Sequence, residues 1–445
     1  MSFPAPRTLR LGATTSLMLG LCSASLAVHA DEPTQGMTGD WGGLRSAWLA
    51  QGIQVQGDYT GESSSNLRGG YDKRHTTRYA DQFTLGVGLD LEKLLGWQDT
   101  QFMLQVANRN GDSLNDKRLD DPRGESFADT QEVYGGGSVT RLSELWLSKG
   151  WLDKRLELKA GRFAFGDEFA VQDCQFQNLA LCDSQTGNWM DSAYNGPVST
   201  WAARLKYALG DQLYVQAGVF AVNPSYLAND NGFKLAGSGT EGSLLPLEVV
   251  WTPSVAGLPG EYHAGYYYST AKVDDLYKDE SNQPAAVTAD DYRRDSSRHG
   301  WWLIGKQQLT TVDGNASRGL VLTASVAAYD AATTPVQSYQ SLGLVFKGPF
   351  AARPDDTLGL GVARLQASRQ FLRNARAANA VGGSSYADDD YLPEQHSEYN
   401  IELNYGVQVT DWLSVRPNLQ YVAHPGGVRE VQNAVVAGLQ VQSTF

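Results

Sequence analysis

Cysteine is scarce in this chain, with three residues in 445. Neither Cys174 nor Cys182 has a histidine or a further cysteine close by in sequence, so a four-ligand zinc site is not on offer there. Positive charge is short as well: 36 Lys and Arg stand against 49 Asp and Glu, a formal charge of −13. Phosphate binding needs a basic footprint, and nucleic acid is thereby excluded as a partner. Beyond residue 30 no segment offers the ~20 apolar residues of a membrane-spanning helix. Catalytic signatures are missing too. There is no Gly-x-Ser-x-Gly, no histidine cluster with metal-ligand spacing and no phosphate-cradling glycine loop. Glu398 and Glu402 resemble a glycosidase pair, but four residues along one strand face put them about 13 Å apart, outside either glycosidase spacing. The sequence nominates no catalytic residue, no metal and no cofactor.

What is present begins with a leader. Arg7 and Arg10 supply a basic head, residues 11–26 are uncharged and apolar or small, and Val28 and Ala30 place small residues before a cleavage point at Asp31. Residues 1–30 are expected to be a secretory signal peptide. The apolar run is too short for a membrane anchor helix, and Leu21 is too large for the residue before a lipoprotein cysteine at Cys22. Losing Arg7 and Arg10 leaves 34 basic against 49 acidic side chains, −15 for the mature chain. Cys22 leaves with the leader. Cys174 and Cys182 remain as an even pair in an oxidising compartment; a disulfide is expected, with two free thiols as the alternative.

Two-residue alternation dominates the rest. Phe83, Leu85, Val87 and Leu89 alternate with Thr84, Gly86, Gly88 and Asp90, and Ile401, Leu403, Tyr405 and Val407 alternate with Glu402 and Asn404. Each such run is a strand with one apolar and one polar face. About 16 runs of roughly ten residues can be placed, the length of a tilted strand that crosses a bilayer. They begin near Ile53, Asp81, Gln101, Arg141, Leu156, Thr200, Gln212 and Leu244, then near Glu261, Gly300, Gly319, Gln340, Asp356, Glu398, Trp412 and Ala434. Tight connections (151–155, 207–212, 409–412) alternate with long polar ones (62–80, 110–140, 165–199, 223–243, 271–299, 367–397). Short turns on one rim and long loops on the other mark a bacterial outer-membrane barrel with both termini periplasmic. Tyr59, Tyr207, Trp251, Trp301, Trp412 and Tyr421 fall at strand ends, where aromatic rings settle at a lipid–water boundary.

The expected fold class is therefore all-β: a transmembrane antiparallel β-barrel of about 16 strands over 53–445. A periplasmic segment, 31–52, precedes it and holds one short helix, capped by Asp40 and closed by Gly52, with Trp41, Leu44 and Trp48 on one face. The rival is a secreted soluble β-protein that binds or hydrolyses sugars. Its apolar faces would meet in a core instead of facing lipid.

Four stretches, in order, resemble the OprB family of carbohydrate-selective outer-membrane porins. They are Gly-Asp-Trp-Gly-Gly-Leu-Arg at 39–45, Asn-Arg-Asn-Gly at 108–111, Ala-Gly-Arg-Phe at 160–163 running on through Asp167-Glu168-Phe169 to Cys182, and the closing run from Pro417 to His424-Pro425-Gly426-Gly427. The resemblance covers essentially the whole mature chain. It implies a 16-stranded barrel that passes glucose and related sugars down their gradient.

Sugar hydroxyls are matched by Arg and carboxylate hydrogen bonds, and their C–H faces by an aromatic ring. Arg78, Arg109, Glu132, Glu144, Arg162 and Trp189 are nominated for the sugar-binding eyelet, with Arg204, Lys306, Glu402 and Arg416 on the lumen wall. Arg78 is expected at the end of the first long loop. Glu144 shares parity with Leu142 and Trp146, and Arg162 with Leu156 and Leu158. Either a bulge shifts their register or they lie outside the lumen. Expected partners are monosaccharides such as glucose, and outer-membrane lipid and lipopolysaccharide, for a monomer or homotrimer. A general or small-anion porin lined by Arg109, Arg204, Lys306 and Arg416 is the second reading.

Overall fold

The structure, a computed structural model, describes residues 36–134, 137–182, 185–190, 195–295 and 298–445; the expected leader lies outside them. Among the described residues, sixteen strands form one antiparallel sheet that closes on itself. In chain order they are β1 (Ile53–Gly70), β2 (Thr76–Asp90), β3 (Thr100–Gly111), β4 (Val139–Trp151), β5 (Leu156–Phe163), β6 (Thr200–Gly210), β7 (Leu213–Val222) and β8 (Gly242–Trp251). They continue as β9 (Leu258–Ser269), β10 (Arg298–Gln308), β11 (Gly319–Tyr329), β12 (Val336–Lys347), β13 (Thr357–Ala367), β14 (Ser397–Thr410), β15 (Leu413–Ala423) and β16 (Gln432–Thr444). Closure comes from β1, which pairs with both β2 and β16. Every starting point expected from alternation lies within five residues of an observed one, the largest offset being Asp81 against Thr76 in β2.

The alternation is turned inside out relative to a soluble core. Leu247 and Leu303 point outward and are 51% and 52% exposed, whereas Glu248 and Glu402, on the opposite parity, are 0% exposed. A water-soluble sandwich would do the reverse. An exterior band of Leu, Val and Ile is stable only in lipid, and lipid tolerates strands only when closure pairs every backbone N–H and C=O. Trp251, Trp301 and Tyr421 stand exposed at the strand ends that border this band.

One expected loop is absent. Residues 62–80 continue the β1–β2 ladder as far as Asn66↔Thr76, leaving 71–75 as the connection and Arg78 on a strand. This hairpin is polar on both faces (Ser63 and Ser65 on one, Ser64 and Asn66 on the other), so no apolar alternation marks it. The other long loops are present as 112–138, 164–199, 223–241, 270–297 and 368–396. The last contains a helix that alternation did not signal, Arg369–Gly382, capped by Ser368 Oγ and closed by Gly383 at φ 67°.

The expected N-terminal helix is Leu44–Gln51. Asp40 holds its first turn by accepting from Ser46 N (2.8 Å) and Ser46 Oγ (2.7 Å). Gly52 ends it at φ 95°, a value that favours glycine. Both described chain ends meet at the short-turn rim, where Met37 N donates to Thr444 O and Phe445 N to Gly57 O, each at 2.8 Å.

Candidate functional site: a lumen narrowed by two ingrowing loops

Loop 164–199 leaves β5 and enters the barrel. Apolar contact drives it in: Phe165, Phe169, Phe176, Leu181 and Met190 are buried against Phe220, Trp302 and Tyr339 of the wall. Phe165 stacks on Phe169 at 5.6 Å and meets Trp302 edge-on at 6.1 Å. Polar wall residues then satisfy the loop's charges and backbone. Glu168 sits between Lys159 (2.6 Å) and Arg204 (2.7 Å), and Arg204 also reaches Glu157 (2.7 Å). Ala170 N donates to Glu248 Oε1 (3.1 Å), and Asp173 pairs with Lys306. Gln177 N and Asn178 N both donate to Glu402 Oε2, at 3.0 and 2.7 Å. Tyr339 Oη donates to Ala180 O (2.8 Å). The expected disulfide is present: Cys174 and Cys182, 4.4 Å apart at Cα, close the loop around the Gln177–Asn178 clamp.

Loop 112–138 meets this loop from the β1–β3 side. Glu62, inward on β1, accepts from Val133 N (3.2 Å) and Gln440 Nε2 (2.6 Å). Glu132 N donates to Gln177 O (3.0 Å), which joins the two loops. The Glu132 carboxylate lies within 4.8 Å of the disulfide sulfurs.

The nominated residues separate into three groups. Arg109 faces inward, donates from Nε to Gln82 Oε1 (2.6 Å) and from Nη2 to Gly196 O (3.4 Å), and so links the wall to the returning limb of loop 164–199. Glu132 lies at the loop junction, and Trp189 is half-buried there, edge-on to Phe127 at 6.0 Å. Arg78 is inward on β2, opposite Ser64, at the upper end of the same wall. Glu144 also faces in, because β4 carries a bulge. Gln105 opposes Glu144 while Val106 opposes Leu142, so Ser143 is the extra residue and parity reverses across it.

Arg162 does not face the lumen. β5 has no such bulge, so Arg162 keeps the outward parity of Leu158 and lies between Leu145 and Trp201. It is buried under loop 223–241, donating to Lys234 O and Ser199 O and stacking 4.3 Å from the Tyr226 ring. The four wall nominees do face inward, but Arg204 and Glu402 lie beneath loop 164–199, and Arg416 donates to Gln440 Oε1 (2.6 Å). Arg204, Glu402 and Arg416 clamp the loop instead of lining open water, whereas Lys306, paired with Asp173, stays one-third exposed (33%). Sequence reasoning missed Glu168, Glu248 and Asn178, the clamp's other members. Glu168 and Asn178 lie within the family-like stretch 160–182, but alternation says nothing about a loop that folds inward.

Burial gives loop 112–138 a response to pH. Desolvation, aided by Asp116, pushes the Asp120 carboxyl up to about 7 against hydrogen bonds from Ser126 and Asn115. Desolvation also raises Asp129 well above the usual carboxylate range, and Glu398 faces both from β14. A carboxyl that titrates higher when docked takes up a proton on docking. Docking is therefore tightest below about pH 4 and weakens as pH rises toward 7. Amide exchange in 112–134, corrected for its intrinsic pH dependence, is expected to be faster at pH 8 than at pH 5. Equal rates would show that these carboxyls do not govern docking.

A closed sixteen-stranded barrel with an apolar exterior and a lumen narrowed from within is a porin's architecture, and residues 74–445 match the carbohydrate-selective porin, OprB family. The chain belongs to the OprB family. It is 50% identical to Porin B of Pseudomonas aeruginosa over 448 residues, covering 99% of this chain and 98% of that one. It is 37% identical to the putative porin QuiX of Acinetobacter baylyi over 446 residues, 98% of this chain and 99% of that one. The high-pH structure of Pseudomonas putida OprB superposes with a TM-score of 0.91 at 49% identity, covering 92% of this chain and 98% of that chain. This OprB-family protein is thus an outer-membrane, carbohydrate-selective channel, and the soluble reading is overturned. The inward cations of the anion reading are each engaged: Arg109 with Gln82, Arg204 with two glutamates, Lys306 with Asp173 and Arg416 with Gln440.

Proposed function

We propose that sugar is selected where loops 112–138 and 164–199 face the inner wall of β1–β4, by Arg109, Glu132 and Trp189, with Arg78 above and Glu144 below. The observation that carries this is an asymmetry in the lumen. At the level of loop 164–199, inward side chains of β6–β8 and β14–β15 such as Gln216, Glu248, Asn400 and Gln420 are buried; on β1–β4 Glu62 and Arg109 are buried as well, but Asp58, Thr60, Gln82, Gln105 and Glu144 around them stay half-exposed. Passage then follows the β1–β4 side. A guanidinium and carboxylates exchange hydrogen bonds with sugar hydroxyls for those with water, and an indole meets the C–H face. Binding stays weak, since a channel that holds its solute conducts poorly.

The substrates in this reading are glucose and related monosaccharides, moving passively toward the short-turn, periplasmic side that carries both termini, with no chemical step. Arg109→Ala is expected to weaken glucose block of ion current several-fold. Arg162→Ala, behind the wall, is expected to leave the block unchanged. An Arg109 variant blocked as strongly as the parent would remove Arg109 from the selective site.

A further inference from the structure

The closing turn between β15 and β16, His424-Pro425-Gly426-Gly427, contributes no side chain to the selective site. It lies on the long-loop rim and folds tightly. Gly427 N donates to His424 O (2.7 Å) and Val428 N to Pro425 O (3.2 Å). Gly426 and Gly427 sit at φ 61° and 74°, where glycine is favoured. The wall fixes the turn in place: Gly426 N donates to Glu398 Oε2 of β14 (2.6 Å), and His396 N donates to Gly427 O (2.8 Å).

This turn seats loop 112–138. A methyl group at Gly427 would stand 2.8 Å from Phe127 Cε2, and one at Gly426 would stand 3.2 Å from Glu125 O. The first distance is well inside carbon–carbon contact, so the Phe127 ring lies where only glycine leaves room. Gln395, buried, ties loop and turn together. Its side-chain amide accepts from Glu125 N (2.9 Å) and donates to Glu125 O (2.7 Å) and to Gly426 O (2.5 Å). Phe127 itself is 2% exposed and meets Trp189 edge-on, with ring centroids 6.0 Å apart and planes at 89°. Trp189 Nε1 is buried with no hydrogen-bond partner among the described residues. Packing therefore orients the indole, and the Phe127 ring is an aromatic contact that supplies it.

We propose that Phe127, seated on Gly427, is a positioning residue for Trp189 in sugar selection, a reading that rests on the selective site proposed above. Phe127 is too deeply buried to touch solute and acts through the indole, which must turn a face to the C–H surface of a pyranose ring. An edge-on aromatic pair fixes the distance and the tilt of its partner ring, and an aliphatic side chain of similar bulk fixes neither. The closing turn of the chain thereby reaches the selective site across loop 112–138.

The test is block of single-channel current by D-glucose compared with D-sorbitol, an open-chain polyol of nearly the same size that has no ring face. Phe127→Leu is expected to raise the half-blocking concentration of glucose about three- to tenfold, the range of an edge-on aromatic pair, and that of sorbitol by less than about twofold. Trp189→Ala should weaken glucose block further. Phe127→Leu added to Trp189→Ala should change the block by less than about twofold, since no indole remains to be positioned. Gly427→Ala presses a methyl group onto Phe127 without altering either ring, and should shift glucose in the same direction. Gly383→Ala, at φ 67° with open space around it, carries the same backbone strain and should leave the block at the parent's value. Equal weakening for glucose and sorbitol, an additive double variant, or unchanged glucose block in Phe127→Leu where Trp189→Ala weakens it would overturn the positioning role and leave the selective site standing. Unchanged glucose block in Trp189→Ala would overturn that role together with the place of Trp189 in the selective site.

Discussion

Glu402→Ala is expected to raise single-channel conductance and erase sugar discrimination while the barrel stays closed. Glu402 is fully buried, and its carboxylate takes the backbone amides of Gln177 and Asn178 together with Asn404 Nδ2 at 2.8 Å. Hydrogen bonds to a charged acceptor contribute about 1.5–3 kcal/mol each, so the tip of loop 164–199 loses several kcal/mol of docking at once. The backbone of Glu402 keeps its ladder partners, Gly361 and Gln420, and the barrel has no reason to open. Amide exchange at 176–180 should rise by about two orders of magnitude or more if two such bonds are lost. Glu402→Gln keeps an acceptor and should fall between. Unchanged conductance and unchanged protection at 176–180 would show that the clamp lies elsewhere.

The second large effect is on stability. Glu168 is the carboxylate between two buried cations, Lys159 and Arg204, whose side chains are 2% and 4% exposed. Removing one partner from a buried charge network costs about 3–5 kcal/mol, because the remaining charges stay in a low-dielectric site. Glu168→Ala should therefore lower the temperature at which the detergent-extracted barrel loses its compact electrophoretic migration. Glu168→Leu combined with Lys159→Met removes opposite charges together and should recover part of that loss. A single variant as heat-resistant as the parent would contradict the network's role.

These two residues mark where sequence stops informing. The strands were legible because lipid on one side and water on the other impose a period of two, and that period places β3, β11 and β14 directly. It also placed Glu402 inward. It could not say that Glu402 would meet a loop instead of water, since a loop folded into a lumen obeys no period. Arg162 shows the reverse case. Its parity with Leu156 and Leu158 already pointed outward, and the structure keeps it there under Tyr226. Glu144 has the same awkward parity but is rescued by the Ser143 bulge, a one-residue event with no sequence signature. The helix Arg369–Gly382, a short capped segment within a long polar loop, leaves no mark on a two-residue period.

The measurement that bears most directly on the whole reading is single-channel current of the refolded protein in a planar bilayer, with and without glucose. A barrel narrowed by loop 164–199 around a weak sugar site should show current that falls saturably with glucose and falls less with a non-sugar of the same size. A steady current indifferent to glucose at every concentration would contradict a selective site at that constriction.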